Sequence, residues 1–320
     1  MNENSTASTL RRHEKYDHLI AAAKSLQPIA TAVAHPCDET SLRGAVEAGE
    51  AGLIKPILVG PKDKIAAAAK QYSLNLGNIE IVDVPHSQAA AEKAVELVRT
   101  GKADLLMKGS LHTDELLSEV MKRETGLRTG RRVSHVFVMD VPGHAQTLFI
   151  TDAAVNIAPD LESKRDIIQN AIDLYAGLGL GIPKVAILSA VETVTSTIPS
   201  TIEAAALCKM ADRGQITGGE LDGPLAFDNA ISPEAARIKG IKSPVAGQAQ
   251  ILVVPDLEAG NMLAKNLTFL SHADAAGIVL GARVPIILTS RADHVRTRMA
   301  SCAVAALLRH SQMAKQPIRA

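Results

Sequence analysis

The decapeptide VPIILTSRAD, residues Val284–Asp293, joins a buried-strand pattern to a polar turn. Its apolar half, Val284–Leu288, predicts a strand that is covered on both faces. An amphipathic helix is predicted directly after it, from about His294 to Arg309. The turn between them carries a hydroxyl, a guanidinium and a carboxylate at a strand end, where open α/β sheets bind ligands. Its candidate catalytic residues are Ser290, Arg291 and Asp293.

The helix that follows this turn begins with unpaired N–H groups and a positive dipole end, which suit an anion such as phosphate. Arg291 can hold a phosphate or carboxylate through two hydrogen bonds. Ser290 can hydrogen-bond a developing oxyanion or a thiol, and Asp293 can orient Arg291 or act as a base. An ordinary helix cap with an acidic first turn explains the same residues. No GxSxG elbow surrounds Ser290, which argues against a hydrolase nucleophile.

Outward from this stretch, strand and helix patterns alternate from Ile29 onward, which predicts βαβ units and a mainly parallel α/β sheet. Two closely spaced strands, Ser134–Asp140 and Gln146–Thr151, predict a hairpin within it. The acidic, glycine-bearing stretch Gly218–Asp228 is predicted to be a loop. The last two strands are predicted to close the sheet, at Gly277–Gly281 and Pro285–Leu288.

Composition excludes several classes of protein. The chain has 320 residues, and its 34 Lys+Arg balance 34 Asp+Glu, with only 2% aromatics, which argues against a nucleic-acid-binding protein. The 3 cysteines are far apart, so neither a zinc site nor a disulfide framework is indicated, and a reduced, cytoplasmic compartment fits. No signal peptide and no membrane span is predicted.

Two further segments are candidate substrate contacts. Lys108 and Gly109 follow a buried strand, where a lysine can meet a phosphate, although no GxxxxGK[ST] loop is present. In DLEAGN, helix capping explains the acids, whereas a glycine early in a helix permits close approach of a ligand or of another backbone segment. The candidates there are Asp256, Glu258, Gly260 and Asn261.

Asp222 lies in an Asp-Gly-Pro sequence that a turn alone explains. Its spacing to neighbouring oxygen-bearing side chains matches no metal-ligand signature, so no metal is expected. None of the 10 histidines stands in a recognisable pair, and none is singled out as catalytic.

Taken together, six stretches resemble the phosphate acetyl/butyryltransferase family, and the resemblance covers nearly everything after Ile29. The forms of three of these stretches are nearer to the butyryltransferase branch. The six are KGSLHTDELL (Lys108–Leu117), GLRTGRRVSHVFVMDVP (Gly126–Pro142), LFITDAAVNIAPDLESKRDII (Leu148–Ile168), LDGPLAFDNAIS (Leu221–Ser232), VVPDLEAGNMLAKNL (Val253–Leu267) and VPIILTSRAD (Val284–Asp293).

The resemblance implies a two-domain α/β fold like that of isocitrate and isopropylmalate dehydrogenases, with an interdomain cleft. A discontinuous first domain would comprise residues 1–129 and 278–320 and would carry the Ser-Arg-Ala-Asp turn. Residues 130–277 would form the second domain and the contact of a homodimer. Periodicity alone does not predict this discontinuity.

The resemblance also implies the reaction: acyl-CoA and inorganic phosphate are exchanged for acyl phosphate and CoA, with an acetyl or butyryl group and without a metal or redox cofactor. Arg291 would hold the phosphate, and Ser290 would stabilise the tetrahedral oxyanion or the CoA sulfur. A carboxylate would deprotonate the CoA thiol, which has a pKa of about 8.5 if it behaves like cysteine.

The sequence departs from the acetyltransferase pattern at two points. That branch has an Asp seven residues after the serine, where this chain has Thr297. Asp293 is the nearest carboxylate, and Asp256 and Glu258 are alternatives for the base. The branch also has an arginine in the helix after its HTT motif, where this chain has Ser118 and Glu119. The second phosphate contact would then come from Lys108, Arg128 or Arg131.

Two other functions compete with this hypothesis. A non-catalytic acyl-CoA-binding regulatory module of the same fold would explain the loss of the usual base, but the retained Ser290, Arg291 and Asp293 speak against it. A β-decarboxylating dehydrogenase would need a cluster of aspartates and a nicotinamide site, and the sequence has neither pattern.

Overall fold

The computed structural model describes residues 14–288 and 295–315, and in these ranges eleven strands form a single mixed sheet. Helices cover both faces of the sheet, as the alternating sequence pattern predicts. The strands are β1 (Ile29–Ala34), β2 (Ile54–Gly60), β3 (Glu80–Asp83), β4 (Leu105–Lys108), β5 (Ser134–Asp140), β6 (Leu148–Thr151), β7 (Lys184–Leu188), β8 (Glu220–Leu225), β9 (Ile251–Val253), β10 (Asp274–Leu280) and β11 (Ile286–Ile287).

The helices alternate with these strands along most of the chain. They are α1 (Glu14–Lys24), α2 (Glu39–Glu50), α3 (Lys62–Gln71), α4 (Ser87–Arg99), α5 (Thr113–Val120), α6 (Leu161–Gly177), α7 (Pro199–Asp212), α8 (Phe227–Ile231), α9 (Pro233–Ile238), α10 (Leu257–Leu270) and α11 (Val295–Lys315). Within residues 14–288 and 295–315, none of these helices is long and apolar enough to cross a membrane.

The strand order is β3-β2-β1-β4-β11-β10-β5-β6-β9-β7-β8. On one side, β3, β2, β1, β4 and β11 run parallel to one another. On the other side, β6, β9, β7 and β8 also run parallel to one another. The pairs β11–β10, β10–β5 and β5–β6 are antiparallel. Three reversals separate the two groups, so the second group runs opposite to the first.

Two predictions about the sheet are confirmed and two are wrong. The sheet is mainly parallel, and β5 and β6 form the predicted antiparallel hairpin. The stretch Gly218–Asp228 is not only a loop, because it contains β8, which pairs with β7 at the sheet margin. The last two strands do not close the sheet. They lie in its middle, where β11 pairs with β4 and β10 pairs with β5.

The first helix is fixed against the central strands by buried polar contacts. The Lys15 ammonium donates to Asp140, which is fully buried at the end of β5, with an N–O distance of 2.7 Å. The Tyr16 hydroxyl accepts the Ala276 N–H of β10 at 2.6 Å. Because α1 also packs along α11, these contacts tie the two ends of the described chain to the strands β5 and β10.

Candidate active site

Three neighbouring strands of the parallel group end at one level of the sheet. Ala34 of β1 lies beside Lys108 of β4, and Met107 lies beside Ile287 of β11. We call this the carboxyl edge, and it comprises His35–Asp38, Lys108–Thr113 and Leu288. The helices α2 and α5 begin shortly after β1 and β4, so their N-termini lie at this edge. Helix N-termini and backbone N–H groups at such an edge favour anionic ligands.

Gly109 packs tightly against the backbone at the end of β1. Its N–H donates to the Ala34 carbonyl at 2.8 Å. A Cβ at this position would lie 2.2 Å from the same oxygen and 2.5 Å from the His35 carbonyl oxygen. Both obstacles are backbone atoms, so no side-chain movement can make room, and only glycine fits. The neighbouring Lys108 is half-buried, and its ammonium donates to the Gly109 carbonyl at 3.2 Å.

His35 follows β1 directly and has a φ of 54°, which is rare for a residue other than glycine. Its Nδ1 lies 2.9 Å from the Ser110 Oγ, and that hydroxyl donates to the His35 carbonyl at 2.7 Å. A hydroxyl has one proton. Since the carbonyl takes it, the hydroxyl must accept a proton from Nδ1. The contacts therefore assign the neutral tautomer with hydrogen on Nδ1 and a lone pair on Nε2.

Burial, followed by the positive charge of Lys64, lowers the pKa of His35 below its usual value of 6.5, while Glu115 and Asp38 act in the opposite direction. The imidazole is therefore neutral at pH 7. Burial raises the pKa of Cys37, two residues later, to about 11. A thiol with such a pKa stays protonated, so Cys37 is not a competent nucleophile at neutral pH.

Sequence reasoning did not single out His35 and Ser110. The only local signal is a histidine immediately after a buried strand, at the edge where ligands bind. Its partner lies 75 positions later in the chain. The pair therefore forms only when β1 and β4 become neighbours.

The candidate catalytic residues Ser290, Arg291 and Asp293 lie outside the described residues. Their described flanks are Leu288, whose N–H donates to the Gly277 carbonyl at 3.2 Å, and α11. Thr297 is buried in the first turns of α11, and its hydroxyl donates to the Asp274 carboxylate at 3.3 Å. The position where the acetyltransferase pattern has an Asp thus carries a hydroxyl that is hydrogen-bonded to a carboxylate.

Arg128 and Arg131 precede β5 and lie at the opposite edge of the sheet, away from Lys108. With Arg132 and Arg165 they line a cavity of about 260 Å³ that also contains acidic side chains. Arg131 forms an ion pair with Asp173, Arg132 donates to Asn156, and Arg165 forms an ion pair with Asp166. The cavity is therefore lined by both positively and negatively charged side chains.

The predicted substrate contacts around α10 lie at this opposite edge as well. Asp256 caps the helix by accepting the Ala259 N–H at 2.8 Å, and Glu258 is exposed in the first turn. A Cβ on Gly260 would lie 3.0 Å from the Asp152 carbonyl oxygen. Asn261 donates to the Ala153 carbonyl at 3.3 Å. The close approach predicted for Gly260 is thus made by the backbone after β6.

Asp222 lies within β8, near the far margin of the sheet, and accepts the N–H of Gly223 at 2.8 Å. Among residues 14–288 and 295–315, no group of three or more His, Cys, Asp or Glu side chains could hold a metal ion. The structure thus brings Lys108 and Gly109 next to the strand of the Ser290 turn and separates the other predicted contacts from it.

The chain was compared with known proteins. Residues 87–306 match the family described as "Phosphate acetyl/butaryl transferase". A phosphate acetyltransferase from Rhizobium meliloti is 75% identical over 94% of this chain and 96% of its own length. A phosphate butyryltransferase from Clostridium beijerinckii is 44% identical over 92% of this chain and 98% of its own length.

A solved structure gives the same result. The branched-chain phosphotransacylase from Enterococcus faecalis superposes with a TM-score of 0.77 at 32% identity, covering 88% of this chain and 99% of that one. The family match includes Lys108–Thr113 of the carboxyl edge and the predicted contacts of the opposite edge. The chain belongs to the phosphate acetyl/butyryltransferase family.

Proposed function

We propose that this chain is a phosphate acyltransferase that interconverts acyl-CoA plus phosphate with acyl phosphate plus CoA, with acetyl as its preferred acyl group. The observation that carries the proposal is the carboxyl edge: Lys108 and Gly109 end β4 beside the strand that leads to the Ser290 turn. The 75% identical relative with the acetyltransferase name supports the choice of acetyl. Cytoplasmic location and independence from a cofactor stay predictions.

The chemistry of the reaction suits this edge. Acyl phosphate and CoA are both anionic, and Lys108 supplies a positive charge at this edge. Arg291 holds the phosphate by two hydrogen bonds. Ser290 donates to the oxyanion that forms when the thiol adds to the acyl carbon. Asp293 orients Arg291.

Lys108 and Gly109 are the substrate contacts that we retain in this proposal. The contact role predicted for the residues of the opposite edge and for Asp222 stays a prediction, as does the base role considered for Asp256 and Glu258. Each of those residues except Arg128 and the exposed Glu258 already has a partner or a packing role within the fold. The residues of the opposite edge are Arg128, Arg131, Asp256, Glu258, Gly260 and Asn261.

Acetyl phosphate and CoA should yield acetyl-CoA, measured as loss of free thiol with a thiol-reactive dye. Arg291→Ala should abolish the activity because the phosphate loses its bidentate partner. Arg213→Ala, an exposed arginine at the end of α7, is the matched control and should keep full activity. Full activity in Arg291→Ala would contradict the assignment of the site.

A chain-length series of acyl phosphates tests the acyl preference, because one methylene in an apolar pocket is worth only about 1–3 kcal/mol. Acetyl should be turned over fastest, and butyryl measurably. Tight acyl-CoA binding without turnover of any member of the series would instead favour the regulatory module.

We infer further that the chain has the two domains expected from the resemblance, with residues 1–129 and 278–320 in one and residues 130–277 in the other. Support comes from the strand order. The parallel group β3-β2-β1-β4-β11 draws its strands from both ends of the chain, and the group β6-β9-β7-β8 draws them from the middle. The dehydrogenase-like cleft would then lie where the antiparallel strands β5 and β10 join the groups.

We also propose that the second domain forms a homodimer through α10. Only Gly260 and Ala264 of this helix are buried, while Met262, Phe269 and Leu270 expose 65%, 71% and 73% of their surface. These residues follow at i, i+7 and i+8 and form one apolar helix face, which is typical of a covered interface. Light scattering should give twice the mass of the chain, and Phe269→Glu should give the single mass. A monomeric wild-type chain would contradict the proposal.

A further inference from the structure

We propose that His35, held by Ser110, is the group that takes the proton from the CoA thiol and returns it in the reverse reaction. This inference rests on the proposed function and names a catalytic residue for it. It assigns the base role, for which the sequence left several carboxylates open, to an imidazole at the carboxyl edge.

The contacts of His35 determine which nitrogen is available. Nδ1–H donates to the Ser110 Oγ at 2.9 Å, and the same hydroxyl donates to the His35 carbonyl at 2.7 Å. The ring orientation and tautomer are therefore fixed from one side. Nε2 carries the lone pair and has no hydrogen-bond partner within the described ranges, so it can accept a proton from a thiol.

The backbone of His35 supports the assignment. A φ of 54° costs a histidine conformational energy, and residues in such conformations concentrate at functional sites. The Gly109 N–H and the Ser110 N–H bond the carbonyls of Ala34 and His35 at 2.8 and 2.9 Å, so β4 holds this conformation in place. The strand that ends beside Lys108 on the other side of β4 is β11, which leads to the Ser290 turn.

The charged groups that act on His35 come from three neighbouring elements, α2, α3 and α5. Lys64 of α3 opposes protonation of the ring, whereas Glu115 of α5 and Asp38 at the start of α2 favour it. Burial is the largest influence, and the sum keeps the pKa below 6.5, so the ring is neutral at pH 7. A neutral imidazole is the protonation state that a general base requires.

Three described carboxylates at this side of the sheet already have partners. Asp38 accepts the N–H of Ser41 at 2.8 Å as the cap of α2. Asp140 is fully buried and bonded to Lys15. Asp274 accepts the Thr297 hydroxyl at 3.3 Å, and it is the alternative base that the tests below distinguish from His35.

The proton balance of the step is complete. Nε2 takes the proton from the CoA S–H, and the thiolate forms the C–S bond to the acyl carbon of the acyl phosphate. The C–O bond to phosphate then breaks, and the leaving phosphate takes the proton from the imidazolium. In reverse, Nε2 takes a proton from the attacking phosphate, whose oxygen forms the C–O bond to the acyl carbon of acyl-CoA. The C–S bond then breaks, and the imidazolium gives the proton to the departing thiolate.

His35→Asn is the sharpest test. Asparagine tolerates a positive φ better than most residues, and its amide can still donate to Ser110, but it has no basic nitrogen. The kcat with acetyl phosphate and CoA should fall by roughly 10²–10⁴-fold, the range for loss of a general base, with little change in KM for acetyl phosphate. His310→Gln is the matched control. His310 lies near the C-terminal end of α11, where its ring contacts the Gln27 carbonyl, and this variant should keep the wild-type rate.

The pH profile distinguishes a proton acceptor from a structural residue. In the wild type, kcat/KM should rise with pH through an ionisation below 6.5. In His35→Asn this limb should disappear, the rate should rise toward the thiol pKa of about 8.5, and added imidazole should restore part of the activity. Ser110→Ala should weaken activity less and should shift the same ionisation.

A wild-type rate, or an unchanged acidic limb, in correctly folded His35→Asn would overturn the inference, as would loss of that limb in Asp274→Asn instead. A wild-type chain without any acyl transfer would overturn the proposed function itself. The melting temperature of each variant separates these outcomes from a failure to fold.

Discussion

The two edges of the sheet both carry charged side chains, but these side chains have different contacts. At the carboxyl edge, a strained histidine, a half-buried lysine and a glycine that tolerates no Cβ surround a strand end. At the opposite edge, Arg131 is paired with Asp173, and Asp256 caps its own helix. The first set has conformations that the fold must enforce, whereas the second set stabilises the fold.

The largest expected difference between the edges is in activity. Lys108→Met should lower kcat/KM by about 100-fold, the effect of losing one charge-stabilising donor. Arg131→Met should have a much smaller effect because its side chain is paired with Asp173. Lys102→Met, an exposed lysine just before β4, is the control for Lys108. An equal decrease of kcat/KM in Lys108→Met and Arg131→Met would contradict this difference and would show that both edges belong to one site.

A glycine pair tests the close approach at the carboxyl edge. Gly109→Ala should lower the free energy of unfolding by about 3 kcal/mol, at the upper end for overpacking, because its Cβ meets backbone oxygens. Gly130→Ala, at the opposite edge, has nothing within 4 Å of its Cβ and should leave stability nearly unchanged. Urea denaturation of both variants is the measurement. Equal midpoints for the two would show that the β4 loop can move away from β1.

The pH dependence of stability and of activity distinguishes two histidines, His135 and His35. His135 is buried within β5, and burial lowers its pKa to about 4, against the opposing influence of Asp152. Between pH 6.5 and 4 the unfolded chain binds a proton at this position and the folded chain does not. Its contribution to stability is therefore complete above pH 6.5 and is lost as the pH falls toward 4.

His135→Gln should flatten the decline of unfolding free energy in this range by about 1.4 kcal/mol per pH unit, which corresponds to one proton. It should leave the acidic limb of the rate profile unchanged, since that limb belongs to His35. His310→Gln should leave both profiles as they are. An identical acid slope in His135→Gln and the wild type would contradict the buried neutral state.

Local pattern was sufficient for much of the fold. The alternation predicted β1, β2, β4 and the β5–β6 hairpin to within a few residues, because each has a continuous apolar run between turn residues. β8 was missed because its sequence ELDGPL mixes acids with Gly-Pro, which indicates a turn when no neighbour is considered. It is a strand because its backbone pairs with that of β7.

By itself, the sequence determined the α/β class, the family, and Lys108 and Gly109 as strand-end candidates, since these follow from local periodicity and from contiguous motifs. Only the tertiary structure decided that β10 and β11 enter the middle of the sheet, that His35 meets Ser110, and that Arg128 and Arg131 lie at the opposite edge. Strand order depends on pairings between residues far apart in the chain, and local periodicity does not specify them.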